Sequence, residues 1–172
     1  MGTIVIKWVK VERRNIPAFW IFHEVELMFL GQFKHTIDEK GRMTIPARFR
    51  NLLADGAFIT RGFDQNLIVL SRSDFEKLSQ HVHSLSLTKP DVRDLIRLLF
   101  AHAVMAEFDK SGRILIPQFL RNSAQLDGAV VVVGFGKFFE IWSHKLWTEK
   151  EVQFENAALT AKKFEMFDLP LE

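Results

Sequence analysis

"DEKGRMTIPARFR" (Asp38–Arg50) is written almost again as "DKSGRILIPQFLR" (Asp109–Arg121), 71 residues further along. Asp, Gly, Arg, Ile, Pro and Arg recur at six of the thirteen positions. The likeness runs on, because "AFITRGFDQNLIVLSR" (Ala57–Arg72) lies over "AVVVVGFGKFFEIWSH" (Ala129–His144). Both stretches hold an alanine, an apolar strand, Gly-Phe, a short polar turn, a second apolar strand and a serine. A repeat of this length is one supersecondary unit written twice. Each unit reads as hairpin, short helix, hairpin and longer helix.

The first hairpin sets the pattern. "GQFKHTID" alternates as a half-buried strand does, and Asp38 with Gly41 suits a tight turn whose glycine takes positive φ. "RMTI" returns as the partner strand. Pro46, with no N–H to donate, fits the first position of a short helix, "PARFRNLL", whose Phe49, Leu52 and Leu53 share one face. Gly112, Arg113, Pro117, Leu120 and Arg121 keep the same logic in the second copy. Between the copies, Ser73 is placed to cap "DFEKLSQHV", and Thr88-Lys89-Pro90 opens "DVRDLIRLLFAHAV". A last helix is expected from about Ser143 to Phe164. Its apolar residues, among them Leu146, Trp147, Val152 and Phe154, form no clean stripe, which suits packing on a neighbouring subunit.

A single hairpin is marginally stable and leaves its edges unpaired. Two interleaved copies can pair across a pseudo-twofold and close a small barrel, with both Asp-x-x-Gly-Arg turns side by side on one surface. The expected fold class is therefore α+β, mainly β: a swapped-hairpin barrel built from two internal repeats, with flanking helices. The expected organisation is an extension over 1–27, repeat 1 over 32–75, linking helices over 76–102, repeat 2 over 103–146, and a helix and tail over 147–172.

Composition narrows the function. The chain has 172 residues, 48% hydrophobic and 26% charged, which suits a soluble domain with a sizeable core. Cysteine is absent, which excludes disulfides, thiolate metal sites and thiol nucleophiles and fits a reducing compartment. Net charge is only +2, and without residues 1–27 (four Lys and Arg against three Asp and Glu) about +1. A nucleic-acid partner would need that charge gathered on one face or multiplied by self-association. No apolar run approaches a membrane span. "NIPAFWIFHEVELMFLG" is apolar, but two acids and no small-residue cleavage site make it a poor secretion signal.

These motifs resemble the MraZ family, whose half-repeats are similar to the AbrB-type swapped-hairpin DNA-binding domain. "MFLGQFKHTIDEKGRMTIPARFR", "LTKPDVRDLIRLLFAHA" and "DKSGRILIPQFLR" carry the resemblance together, over roughly Met28 to Phe167. It implies a cytoplasmic, nucleoid-associated transcriptional regulator that assembles into ring-like homo-oligomers. It also implies binding to repeated boxes in double-stranded DNA upstream of the protein's own gene, at the head of a division and cell-wall cluster. Carried over by position, the DNA-contacting Asp-x-x-x-Arg motif falls on Asp38–Arg42 and Asp109–Arg113. Arg42 and Arg113 are the leading DNA-binding candidates. Lys40 supports them at the first turn tip and Lys110 at the second; Arg50 ends the short helix, and His35 precedes the first Asp by three. Asp38, Gly41, Asp109 and Gly112 are expected to be structural turn residues, since a carboxylate bonds turn N–H groups and repels phosphate.

Rival chemistry is thin. His81 and His83 stand two apart on a helix and do not share a face, so no metal is expected. "GFG" (Gly134–Gly136) joins two strands and opens no phosphate-binding helix. No nucleophile, base and oxyanion donor are arranged together, so neither catalysis nor a cofactor is expected. The alternative reading is a non-catalytic ring that serves assembly or binds a partner. Residues 1–27 precede the family's usual start near Met28, and two readings stand level: mis-started translation, or a genuine N-terminal extension in which the Trp8-Val9 pair is accidental. Trp8-Val9 must be encoded TGG-GTN, which contains TGGG, the core of the expected boxes. If Val11 is GTG before Glu12, a second TGG follows about 10 nucleotides on, near one turn of B-DNA. The segment then reads as translated operator DNA, and the nucleotide sequence tests it.

Overall fold

A computed structural model describes residues 28–155 and 157–167. The readings of residues 1–27 and of the final five residues fall outside them. Repeat 1 supplies β1 (Gln32–Thr36), β2 (Arg42–Thr44), α1 (Ala47–Arg50, continued as a 3-10 turn over Asn51–Leu53), β3 (Ala57–Arg61) and β4 (Leu67–Ser71). The helices α2 (Arg72–His83) and α3 (Pro90–Phe100) follow. Repeat 2 supplies β5 (Val104–Ala106), β6 (Arg113–Leu115), α4 (Gln118–Ser123), β7 (Ala129–Gly134), β8 (Phe138–Ser143), α5 (His144–Glu155) and α6 (Ala157–Phe164).

The strands form a six-stranded antiparallel sheet in the order β1-β7-β8-β4-β3-β5 and a two-stranded ladder, β2-β6. Exchanging the repeats (β1 with β5, β3 with β7, β4 with β8) turns that order into its own reverse. The first strand of each copy pairs with the second hairpin of the other, β1 on β7 and β5 on β3. The sheet and the ladder are linked by two single bridges, Ile37 to Met43 and Phe108 to Ile114. The circuit of pairing is thus thin at its two corners, where the Asp-led turns bend the chain away.

The same duplication shapes the core. Met43, Ile45, Phe49 and Leu53 are buried, and so are their counterparts Ile114, Ile116, Leu120 and Ala124. Alternation explains the strand members, since residues one apart face opposite sides and only every second side chain points inward. Phe49 is the hub in repeat 1. Its ring lies 5.1 Å from Phe29, 5.2 Å from Phe33 and 5.2 Å from Phe139. A second cluster on the outer sheet face seats α2 and α3 over Ile68 and Leu70, through Val82 and Leu99.

Three expectations shift in detail. The cap of α2 is Ser71, not Ser73: its extended backbone lets Oγ accept from Asp74 N at 3.2 Å, while Ser73 already lies in the first turn. Pro46 sits one position before α1, at the N-cap, and its carbonyl accepts from Phe49 N at 2.8 Å. The last helix is described as two elements, α5 and α6, with residue 156 between them outside the described residues.

Phe49→Ala is expected to destabilise the fold by about 3–5 kcal/mol, because three aromatic neighbours would border the cavity. Urea denaturation of the variant measures this.

Candidate nucleic-acid interface

Both turns close in the same way. Asp38 N donates to Arg42 O at 2.9 Å and Gly41 N to Asp38 O at 2.8 Å; Asp109 N donates to Arg113 O at 2.9 Å and Gly112 N to Asp109 O at 2.9 Å. One carboxylate oxygen stitches each bend. Asp38 Oδ1 accepts from Lys40 N at 3.0 Å and Arg42 N at 2.9 Å, and Asp109 Oδ1 from Ser111 N at 2.8 Å and Arg113 N at 3.0 Å. The other oxygen grips the arginine. Arg42 reaches Asp38 Oδ2 through Nε and Nη2, both at 2.8 Å, and Arg113 reaches Asp109 Oδ2 through the same two atoms, both at 2.7 Å.

Each turn is then fastened to the other repeat. Ile116 N donates to Gly41 O at 2.8 Å, and Ile45 N to Gly112 O at 3.2 Å. Arg50 donates from Nε to Ile45 O at 3.2 Å, and Arg121 from Nε to Ile116 O at 3.1 Å. These guanidiniums cover the opposite turn's glycine: a Cβ on Gly112 would stand 2.6 Å from Arg50 Nη1, and one on Gly41 would stand 3.0 Å from Arg121 Cζ. Gly41 and Gly112 also take φ of +80° and +70°, which disfavours any residue with a Cβ.

The ladder decides what faces out. Arg42 lies opposite Leu115, Met43 opposite Ile114 and Thr44 opposite Arg113. Met43 and Ile114 point into the core, so Arg42, Thr44, Arg113 and Leu115 share the outer face. Arg42 and Arg113 are diagonal neighbours there, close enough for Arg113 Nη1 to lie 3.8 Å from Asp38 Oδ2. They do not stand free: side-chain exposures of 33% and 31% reflect arginines laid back against their carboxylates.

The other candidates distribute around this face. Lys40 and Lys110 are exposed at the tips of the two turns. Arg50 lies over the second turn, not the first. His35 shares a face of β1 with Phe33 and Ile37, and burial pushes its imidazole below the usual 6.5, which weakens it as a cation. Its neighbour Lys34 is the exposed one. Arg121 is absent from the candidates named above, although the structure gives it the same place over Gly41 that Arg50 has over Gly112. The signal was the arginine closing both thirteen-residue stretches.

Two copies of one hairpin unit, exchanged across a pseudo-twofold and presenting paired arginines on an outward ladder, define a swapped-hairpin protein of the AbrB-like class. A family model described as "MraZ protein, putative antitoxin-like" matches residues 28–98 and again 99–169, and the chain belongs to the MraZ family. Each matched unit takes in the helices that follow its hairpins. The chain is 46% identical over 137 residues to a protein of Roseiflexus castenholzii named "Transcriptional regulator MraZ", covering 79% of this chain and 96% of that one. Proteins of the same name from Herpetosiphon aurantiacus and Carboxydothermus hydrogenoformans are 47% and 44% identical over 120 residues, 70% of this chain and 84% of each.

The Arg113 guanidinium and backbone amide hold the Asp109 carboxyl down, at about 2 against 3.8. Arg42 acts on Asp38 in the same direction. Because both folded values lie below the free ones, the clamps contribute fully above pH 3.8 and weaken as pH falls below it, the Asp109 clamp being lost through about 2. The arginine Nε–H resonances are therefore expected to hold their positions from pH 8 to pH 5 and to move only under strong acid, as NMR would show. Gly112→Ala is expected to cost about 1–2 kcal/mol from backbone strain alone, and more where Arg50 cannot give way, read from the shift in thermal midpoint.

Proposed function

We propose that this chain is a sequence-specific DNA-binding transcriptional regulator. It acts as a repressor at repeated TGGG-type boxes upstream of its own gene and the division and cell-wall cluster. The observation that carries the reading is the placement of Arg42 and Arg113, distant in the chain, on one outward face of the β2–β6 ladder. Arginine presents paired donors that match the O6 and N7 acceptors of guanine in the major groove. Lys40, Lys110 and Arg50, joined by Arg121, supply phosphate attraction around that face, and His35 contributes least. The names of the relatives support the regulatory role. The protein works in the cytoplasm, on the nucleoid.

Self-association completes the mechanism. A protomer of low net charge makes few phosphate contacts, so its grip is weak and sensitive to salt. A ring of copies facing spaced boxes gains through effective concentration. An apolar groove of about 610 Å³ supports this, lined by Phe63, Phe135, Phe138, Trp142, Trp147 and Phe154 between α2, α5 and the sheet. Phe63 and Phe135 are 73% and 60% exposed, and α5 buries none of its residues. A second copy of this chain is the occupant we assign.

Arg42→Ala is expected to abolish the gel shift of the protein's own upstream DNA while light scattering shows the oligomer intact. Wild-type affinity in the variant would overturn the reading. Lys40→Ala should lower the slope of log affinity against log salt by about one, whereas a flat salt response in the wild type would favour the purely structural ring.

A further inference from the structure

The turn carboxylates do more than close a bend, because each divides its two oxygens between two tasks. Oδ1 holds the backbone of the turn, and Oδ2 holds the side-on edge of an arginine, its Nε and Nη2. A guanidinium has five N–H donors in a rigid plane. With one N–H on Nε and one on Nη2 directed to the carboxylate, three remain: the end-on pair, one N–H from each terminal nitrogen, and the outer N–H of Nη1. The end-on pair is itself a parallel fork.

Charge sharpens the point. An arginine paired with its own aspartate is nearly neutral as a unit, so it adds little to the attraction of phosphate. It still presents donors in a fixed direction, which suits the neutral but directional acceptors of a base edge. We infer that Asp38 and Asp109 are specificity-determining positioning residues, which hold Arg42 and Arg113 edge-on so that only the end-on fork is offered to guanine. This rests on the DNA reading of the preceding section. It assigns base discrimination to the clamped arginines and phosphate attraction to the unclamped Lys40 and Lys110.

The two clamps are not equal. Asp38 Oδ2 holds Arg42 and also lies 3.8 Å from Arg113 Nη1, whereas Asp109 holds Arg113 alone. Asp38 therefore orients Arg42 directly and adds a longer-range attraction to Arg113, so its loss is the greater.

Asparagine is the informative replacement. Its amide oxygen can still accept the turn N–H groups, but its NH2 would face the guanidinium, donor against donor. Coulomb attraction alone predicts that Asp38→Asn, one negative charge fewer, binds every DNA more tightly. The positioning role predicts that affinity for an unrelated duplex holds or rises while the ratio of operator to unrelated affinity falls about tenfold or more, the size of one bidentate base contact. Asp109→Asn should lower that ratio less.

The experiment is fluorescence anisotropy of the full chain on its upstream DNA, on an unrelated duplex, and on the upstream DNA with 7-deazaguanine in the boxes. The modified base pairs normally but lacks the N7 acceptor. Wild type should lose discrimination on it, and Asp38→Asn should lose little more, since its fork is already unaimed. If Arg42→Ala abolishes binding while Asp38→Asn keeps the wild-type ratio, the positioning role is wrong and the DNA reading stands. If Asp38→Asn weakens both duplexes equally and lowers the thermal midpoint, the carboxylate is structural only and the inference also fails. If Arg42→Ala binds like wild type, the DNA reading itself is lost.

Discussion

Each turn closes on itself but is fastened to the other repeat. The amide of Ile116 seeks the carbonyl of Gly41, the amide of Ile45 seeks that of Gly112, and each short helix lays an arginine across the turn of the opposite copy. Backbone groups that find no partner when buried are costly, so the amides of Ile45 and Ile116, each bonded to a carbonyl of the other copy, tie the two halves together. The exchange of β1 and β5 between the hairpins of the two copies follows from the same constraint. It places the outward ladder on the pseudo-twofold.

From that placement the site acquires its character. Each strand of the ladder is three residues long, with the central one buried and the flanking ones out. Short strands keep the arginines near the turns that clamp them, and antiparallel register makes them diagonal neighbours. A longer ladder would separate them, and a one-residue slip would send both into the core. Clamping also limits rotamer freedom before any ligand arrives, which lowers the entropic cost of recognition.

The two copies nevertheless depart from symmetry in packing and in charge. Phe49 gathers three aromatic partners, while its counterpart in the second copy is the aliphatic Leu120. Lys40 stands where the second turn has Ser111, and Lys110 where the first has Glu39. The helices α2 and α3 seat firmly on one half of the outer sheet, whereas α5 leaves aromatic surface open beside it.

Much of this was legible in the chain. Repetition of Asp, Gly, Arg, Ile and Pro located both turns and both short helices, because turn chemistry and proline act over a few residues. Alternation in "RMTI" and "RILI" separated outward arginines from inward Met43 and Ile114 for the same local reason. What spacing could not reveal was which partner each group chooses. Arg50 reads like a neighbour of its own turn, yet covers the other one; His35 stands among the DNA-binding candidates, yet burial lowers its affinity for a proton. Arg42 reads like a freely projecting cation, yet is held edge-on by Asp38. The Arg42 clamp is set inside its own turn, but the places of Arg50 and His35 depend on contacts with the other repeat, and only the closing of one repeat on the other sets such distances.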